Sequence, residues 1–178
     1  MIIIDSPSNN AYFNIASEEY LLTKFPKEDI FLLYINDPSI IVGKFQNTLA
    51  EINLDYVKEK NIKVVRRMSG GGTVYHDSGN LNFSFHTLLG NNDFMDFSQF
   101  TEPVLALLNK LNVPAKLEGR NDLLVDGKKF SGNAKLARHG KMIQHGTILF
   151  DSEMNILSES LKVNPLKFMD KAIKSNRS

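Results

Sequence analysis

The sequence RRMSGGGTVYHD occupies residues 66–77 and divides the first half of the chain into its strands. A β-prone run from Lys63 to Arg67 leads into it, and apolar and polar residues alternate again from Asn80 to His86. Because glycines lack β-carbons, the backbone between these two runs can take positive φ angles and approach a ligand closely. The stretch therefore predicts two strands connected by a glycine loop.

The glycine loop is also a candidate anion site. Successive amide groups in such a loop can form an anion-binding concavity, and the guanidinium of Arg67 suits a phosphate or a carboxylate. The loop matches neither the Walker pattern nor the dinucleotide fingerprint. A flexible hairpin with a basic edge is the alternative, so these residues alone indicate a phosphate site and no more.

Two polar segments further along the chain add candidate residues. Asn121 and Asp122 stand at the mouth of an apolar strand, where an amide and a carboxylate suit a Mg²⁺–phosphate group; an Asx-type turn is the alternative. Lys129 follows an Asp-Gly turn signal and precedes a small, glycine-containing segment. A lysine there can stabilise charge that grows on a phosphate, although a solvated hairpin tip has the same pattern. His145 before a glycine fits either a site residue or a structural one.

The remaining periodicities predict an α+β fold with a mainly antiparallel sheet. Two strands separated by Asn36-Asp37-Pro38 are expected to pair with each other, and Asp126-Gly127 is expected to form a hairpin turn. The predicted strands are 2–4, 30–35, 39–43, 63–67 and 80–86, with further strands between 115 and 150; the predicted helices are 11–24, 54–60, 98–111, 153–161 and 165–173.

Composition limits the classes of protein to which the chain can belong. Its 178 residues, 42% of them hydrophobic, suit one domain with a sizeable core. The 21 basic and 20 acidic residues do not favour a nucleic-acid-binding protein. No apolar run approaches the ~20 residues of a membrane helix, and the first residues do not resemble a signal peptide. Cysteine is absent, so a cytoplasmic protein without disulfides or a cysteine nucleophile is expected.

Six segments, taken in order, resemble the lipoate-protein ligase family. They are residues 13–19, 41–47, 66–80, 119–123, 129–134 and 145–147. Each segment is moderately specific, whereas the ordered set is highly specific and extends over nearly the whole chain. The resemblance implies one catalytic domain over residues 1–178, with mainly antiparallel sheets flanked by helices, as in the biotin and lipoate ligase catalytic domains.

The resemblance also implies an activity. Members of the family use ATP to convert lipoate to lipoyl-AMP and transfer the lipoyl group to a lysine of a carrier domain. The carriers expected here are the lipoyl domains of 2-oxoacid dehydrogenases or the glycine-cleavage carrier protein. The family's small C-terminal accessory domain is expected to be absent from these residues or to be a separate chain. The 178 residues are then expected to bind lipoyl-AMP but to make it slowly or not at all from ATP and lipoate.

The same resemblance assigns roles to residues. Arg67 and the backbone of Gly72, Thr73, Val74 and Tyr75 are expected to bind ATP. Lys129 is the predicted catalytic residue and is expected to contact both the ATP phosphates and the lipoate carboxylate. Gly71 and His145 are expected to contact lipoate. Asn121 and Asp122 are expected to contact Mg²⁺.

Three alternatives remain open at this point. An octanoyl or lipoyl transferase of the same fold works without ATP, but the known ones pass the acyl group through a cysteine, which this sequence lacks. A biotin protein ligase is disfavoured because its Gly-Arg-Gly-Arg-type loop is absent, and the glycine loop stands in its place. A non-catalytic protein that binds lipoate or lipoyl-AMP would share the same residues.

Overall fold

A computed structural model describes residues 1–90, 94 and 96–161 of the chain. Within these residues there are five helices and ten strands. In chain order they are β1 (Ile2–Asp5), α1 (Ala11–Lys24), β2 (Ile30–Ile35), β3 (Ser39–Val42), α2 (Thr48–Glu51), α3 (Leu54–Glu59), β4 (Lys63–Arg66), β5 (Val74–His76), β6 (Asn80–Leu88), α4 (Ser98–Lys110), β7 (Ala115–Glu118), β8 (Asp122–Val125), β9 (Lys128–Arg138), β10 (Lys141–Leu149) and α5 (Met154–Ser160).

The strands form two sheets. The larger has seven strands in the order β1-β2-β6-β10-β9-β8-β7, and all neighbours are antiparallel except β1 and β2. The smaller has the order β4-β3-β5, with β3 parallel to β4 and antiparallel to β5. This arrangement confirms the predicted α+β class with mainly antiparallel sheets.

The predicted pairing of the strands at 30–35 and 39–43 is wrong. Strand β2 lies between β1 and β6 of the large sheet, whereas β3 is the central strand of the small sheet. The short connection resembles a hairpin turn, but the side chain of Asn36 is fully buried. It accepts a hydrogen bond from Asn14 at 2.8 Å and contacts the ring of His76 at 3.0 Å. These two partners, which are distant in sequence, fix residues 36–38 as a connection from the large sheet to the small sheet and not as a hairpin turn.

Polar residues fix the ends of several elements. Asn10 caps α1, since its side chain accepts hydrogen bonds from the amides of Tyr12 and Phe13. Asp126 and Gly127 connect β8 to β9 with φ angles of 49° and 75°, as expected of an Asp-Gly hairpin turn. The helix predicted at 165–173 lies outside the described residues. None of the helices in the described ranges is long and apolar enough to cross a membrane.

Strand β6 shows why the large sheet has two different faces. Phe83 and Phe85 pack beneath α4 in one apolar cluster. The alternate residues Asn82, Ser84 and His86 project to the opposite face, yet they are also buried. A buried polar face needs internal hydrogen-bond partners, and the candidate site lies over this face.

Candidate active site

Arg67 shapes the glycine loop from inside the protein. Only 7% of it is exposed. Its guanidinium donates to the carbonyls of Gly70 at 2.7 Å, Gly72 at 2.8 Å and Ile41 at 3.1 Å, and to Ser69 Oγ at 3.0 Å. Burial lowers the pKa of Arg67 to about 10, partly offset by the nearby Glu18, so it is charged at neutral pH. These bonds engage the guanidinium within the protein, where it holds the glycine loop. Its contact with ATP stays a prediction.

Arg66 holds a second loop in the same way. Successive residues of a strand point to opposite sides, and Arg66 turns toward the segment after β3. It donates to the carbonyls of Gly43 at 2.8 Å and Gln46 at 2.9 Å, and to Thr48 Oγ1 at 2.6 Å. The two adjacent arginines at the end of β4 therefore fix two neighbouring loops.

The two loops are in close contact. A β-carbon on Gly43 would overlap the carbonyl group of Gly71. The side-chain oxygen of Gln46 accepts from the amide of Gly43 at 3.0 Å and from Thr73 Oγ1 at 2.8 Å. Gly71 has a φ of +92°, a conformation that favours glycine. Glycine is therefore required at both positions for this packing.

The amides of the glycine loop are available to a ligand. Within the described ranges, no hydrogen bond engages the amide groups of Gly70, Gly71 or Gly72. The carbonyls of Gly70 and Gly72 point to Arg67. The amides that follow these carbonyls, those of Gly71 and Thr73, therefore point away from Arg67, and amides directed to one side of a loop can form a concavity that binds anions. The anion site predicted from the sequence is geometrically available in this loop.

Tyr75 contributes to the core and not to the loop surface. Its ring packs in the apolar cluster under the small sheet, and its hydroxyl has no hydrogen-bond partner among the described residues. Burial, with a contribution from Asp77, raises the pKa of Tyr75 to about 12. The contact predicted with ATP was through the backbone of Val74 and Tyr75, and it stays a prediction.

His145 connects the glycine loop to a buried carboxylate. Its Nε2 lies 2.7 Å from Ser69 Oγ, and its Nδ1 lies 2.8 Å from Glu18 Oε2. The hydroxyl of Tyr34 contacts the other oxygen of Glu18 at 3.1 Å. Both ring nitrogens of His145 are thus engaged within the protein. Its predicted contact with lipoate stays a prediction, and a hydrogen bond to lipoate would have to displace one of these partners.

Glu18 is ionised despite its burial. It is only 2% exposed, and burial alone raises the pKa of a carboxyl group. The charge and hydrogen bond of His145, with smaller effects from His86 and Tyr34, outweigh burial and bring the pKa of Glu18 below its ordinary value. Burial and Glu18 together hold the pKa of Tyr34 well above its ordinary value.

The sequence contained a signal for Glu18 that the motif analysis did not use. Glu18 shares the helical spacing of Ala11, Ile15 and Leu22, which form the buried side of α1. A carboxylate on the buried side of a helix must find a partner. That rule could have selected Glu18 as a candidate, but it could not have named His145 as its partner.

Lys129 forms an ion pair with a second predicted site residue. Its amine lies 2.9 Å from Asp122 Oδ1, and each side chain is about one-third exposed, at 31% and 29%. Asn121 and Asn133 bind each other's backbone carbonyls, at 2.5 Å and 3.1 Å. In the part of the chain that the structure describes, no three His, Asp or Glu side chains cluster as a metal site would require. The Mg²⁺ contacts of Asn121 and Asp122 stay predictions.

Lys129 lies on the same face of the large sheet as His145. His145 is paired with Ala134 of β9, and residues directly opposite each other project to one face. Gly132, two residues earlier, faces the same way, and the Lys129 amine lies 3.5 Å from the position of a Gly132 β-carbon. Because His145 contacts Ser69, the sheet presents Lys129 and the glycine loop on one side.

A groove beside the glycine loop could accept an elongated molecule. Its volume is about 410 Å³. Its lining combines two cationic and three aliphatic or thioether side chains, namely Lys44, Met68, Leu136, Ala137 and Arg138. Such a lining suits an amphiphile that has an anionic end.

The chain is similar to proteins of one family over nearly its whole length. A model of the lipoyl protein ligase A/B catalytic domain matches residues 10–178. The lipoate-protein ligase LplJ of Bacillus subtilis is 51% identical over 180 residues, which cover 100% of this chain and 54% of that protein. The chain thus spans about half the length of this relative.

Two solved structures share the fold. One is a bi-partite lipoate protein ligase of Thermoplasma acidophilum, studied with its E2 lipoyl domain; it is 34% identical with a TM-score of 0.84, over 96% of this chain and 68% of that one. The other is a lipoate-protein ligase A bound with ATP; it is 31% identical with a TM-score of 0.78, over 92% of this chain and 71% of that one.

The family model and these relatives agree with the resemblance in the sequence segments around the glycine loop, Lys129 and His145. The range that the family model matches, residues 10–178, contains these segments. The chain belongs to the lipoyl protein ligase A/B catalytic domain family.

Proposed function

We propose that this chain is the catalytic part of an ATP-dependent lipoate-protein ligase. It activates lipoate as lipoyl-AMP and transfers the lipoyl group to a lysine of a carrier domain. The observation that carries the proposal is the placement of Lys129 and the free amides of the glycine loop on one face of the large sheet. Together they offer a cation and an anion concavity to one ligand. The names of the relatives support lipoate and ATP as the reactants.

The first step joins the lipoate carboxylate to AMP. A carboxylate oxygen attacks the α-phosphorus of ATP, the bond to the bridging oxygen of pyrophosphate breaks, and pyrophosphate leaves with its electron pair. The chain needs no covalent nucleophile for this step. It must hold the two anions in line and neutralise the charge of the transition state. The free amides would hold phosphate oxygens, while Lys129 would leave Asp122 and contact both reactants.

Mg²⁺ would enter with ATP and draw negative charge toward pyrophosphate. The residues present fit a metal that is held mainly by phosphate oxygens. Asp122 uses Oδ1 for Lys129, which leaves Oδ2 as a candidate contact, and Asn121 precedes it. Both residues are proposed as outer contacts of a nucleotide-bound metal.

The second step transfers the lipoyl group. The neutral amine of the carrier lysine attacks the adenylate carbonyl, AMP leaves as an anion, and the amine loses a proton as the amide forms. Exclusion of water from the site would protect the adenylate beforehand. The groove beside Met68 and Leu136 is the proposed entry for the lipoyl chain, since its lining combines apolar and cationic groups. The carrier is proposed to be a lipoyl domain, the class studied with the Thermoplasma acidophilum relative.

Two assays on the 178-residue chain test the proposal. In the first, synthetic lipoyl-AMP and a lipoyl carrier domain are added, and mass spectrometry follows the carrier. We expect the carrier to gain one lipoyl group, and a carrier whose acceptor lysine is replaced by arginine should gain none. In the second, ATP and lipoate are added and pyrophosphate is measured.

The outcomes separate the alternatives. Binding of lipoyl-AMP with no transfer in the first assay and no pyrophosphate release in the second would identify a binding protein and overturn the proposal. Transfer of an octanoyl group between carriers without ATP would favour a transferase. That outcome is disfavoured because these 178 residues contain no cysteine to carry the acyl group.

A further inference from the structure

A hydrogen-bonded relay crosses the protein beneath the glycine loop. Its members are Arg67, Ser69, His145, Glu18 and Tyr34, which come from four segments: the loop after β4, β10, α1 and β2. All of them are buried or nearly so. The relay connects the guanidinium that shapes the loop to a carboxylate on the buried side of α1.

The direction of each bond in the relay follows from the groups at its ends. Arg67 can only donate, so Ser69 Oγ accepts its Nε–H at 3.0 Å. The ionised Glu18 can only accept, so the Nδ1–H of His145 donates to it at 2.8 Å. In the Nδ1–H tautomer of His145 the Nε2 atom is an acceptor, and the Ser69 hydroxyl can donate to it at 2.7 Å. Every donor then has an acceptor along the relay.

We propose that Glu18 is a positioning residue for the glycine loop. The inference rests on the proposed function, because the loop matters only if it binds the nucleotide. Glu18 fixes the tautomer of His145, His145 fixes the hydroxyl of Ser69, and Ser69 fixes Arg67. Arg67 holds the carbonyls of Gly70 and Gly72, so the amides that follow them in the same peptide planes, those of Gly71 and Thr73, point away from the guanidinium.

Charge balance supports the same role. Glu18 and Arg67 are buried charges of opposite sign, and each influences the pKa of its neighbours in the relay. Removal of one member of a buried pair leaves the other uncompensated, which is strongly unfavourable. Loss of the Glu18 charge would therefore loosen the hold of Arg67 on the loop, even though the two side chains do not touch.

Serine hydrolases use the same order of groups, in which a serine contacts a histidine and the histidine contacts a carboxylate. Two observations argue against a nucleophile here. Ser69 is only 2% exposed, and its oxygen already accepts a hydrogen bond from Arg67. A buried hydroxyl whose lone pair faces a guanidinium is poorly placed to attack a substrate. We therefore assign Ser69 a role in positioning Arg67 and the glycine loop.

The test compares Glu18→Gln with Glu19→Gln. Glu19 is the adjacent residue, but it is exposed and pairs with Arg138 at 3.2 Å on the surface, so it controls for loss of a negative charge from α1. Calorimetry with ATP is expected to give a dissociation constant about tenfold higher for Glu18→Gln, the factor that corresponds to the loss of one charge-assisted hydrogen bond. Glu19→Gln should bind ATP as the parent does.

Two further measurements distinguish positioning from a general loss of structure. Nitrogen-15 NMR of the His145 ring should show the Nδ1–H tautomer in the parent and a shift toward the Nε2–H tautomer in Glu18→Gln. In a Ser69→Ala background, which already interrupts the relay, Glu18→Gln should weaken ATP binding by far less than tenfold. Such non-additivity is expected only if Glu18 acts through Ser69.

Each outcome is decisive. A folded Glu18→Gln protein with parental ATP affinity would overturn the inference, as would additive effects of the two substitutions or an unchanged His145 tautomer. If Glu18→Gln fails to fold, Ser69→Ala alone must still weaken ATP binding, and parental affinity there would overturn it. If the parent itself does not bind ATP, the proposed function fails, and this inference fails with it.

Discussion

Asp122 holds the amine of Lys129 at 2.9 Å across the β8–β9 hairpin. Both side chains belong to the predicted site, one as a metal contact and the other as the catalytic residue. The ion pair gives Lys129 a defined position on the polar face of the large sheet before any nucleotide binds. Because each partner is about one-third exposed, the pair contributes little to stability. Replacement of Lys129 should therefore affect catalysis far more than folding.

Lys129→Ala should lower adenylate formation by about a hundredfold or more, because a cation is lost where charge develops. Far-UV circular dichroism should be unchanged. Pyrophosphate release by an enzyme preparation that makes lipoyl-AMP measures the effect. Lys128→Ala is the matched control, since Lys128 is exposed as expected and should tolerate the change. A folded Lys129→Ala protein that keeps more than about a tenth of the parent rate would refute the assignment.

Gly72→Val should weaken ATP binding with little loss of stability. Gly71 takes the positive φ that glycine permits, at +92°, whereas Gly72 does not. A β-carbon on Gly72 would meet no atom within 4 Å, so the valine would project into the space left for a ligand. Calorimetry with ATP and thermal unfolding measure the two effects. Equal ATP affinity in parent and variant would mean that this side of the loop does not face the nucleotide.

Gly71→Ala should give the opposite pattern. Its positive φ is costly for alanine, and its β-carbon would lie 2.9 Å from a nitrogen of Arg67. We expect the free energy of unfolding to fall by about 1–3 kcal/mol, as measured by urea denaturation. Gly70→Ala is the control, because its β-carbon would meet only the ring of Phe45 at 3.8 Å. Equal stability of the two variants would contradict the close contact between Gly71 and Arg67.

Gly43→Ala should disturb both loops at once. The new methyl group would overlap the backbone of Gly71, and backbone atoms cannot move aside as a flexible side chain can. The loops would have to separate, so we expect lower stability together with weaker ATP binding. Thermal unfolding and calorimetry on the same sample test this. A variant that unfolds and binds ATP as the parent does would show that the loops are not held together at Gly43.

Acid should destabilise the protein between pH 7 and pH 5. Burial lowers the pKa of His76 to about 3 and that of His86 to about 4, while each histidine titrates near its ordinary value of 6.5 in the unfolded chain. Below pH 6.5 the unfolded state therefore binds more protons, and stability falls as the pH falls. At pH 5 each histidine should have removed about 2 kcal/mol.

Urea denaturation at several pH values measures this effect. His76→Gln should flatten the dependence of the unfolding free energy on pH. His139→Gln is the control, since His139 is exposed and should leave the slope unchanged. A parent protein whose unfolding free energy is constant between pH 7 and pH 5 would contradict the pKa values assigned to these two histidines.

The sequence by itself determined the local features of this protein. Spacing of apolar residues marked α1 and α4, Asp126-Gly127 marked the β8–β9 turn, and consecutive glycines marked the loop after β4. These features depend on residues that are neighbours along the chain, whose backbone preferences and periodicity act over a few positions. The resemblance of the motifs then indicated the family that the comparisons confirmed.

Only the tertiary structure decided which distant groups meet. Strands β2 and β3 lie in different sheets, and Asn36 between them is bound by Asn14 and His76. Arg67 is buried and binds the carbonyls of the glycine loop. The tertiary structure also brought Glu18 to His145, 127 positions later in the sequence. Sequence patterns report which side of an element is buried, but a buried polar group is stabilised by whichever partner the fold brings within hydrogen-bonding distance. That partner can come from any part of the chain, and so it is decided by the packing of the sheets and helices.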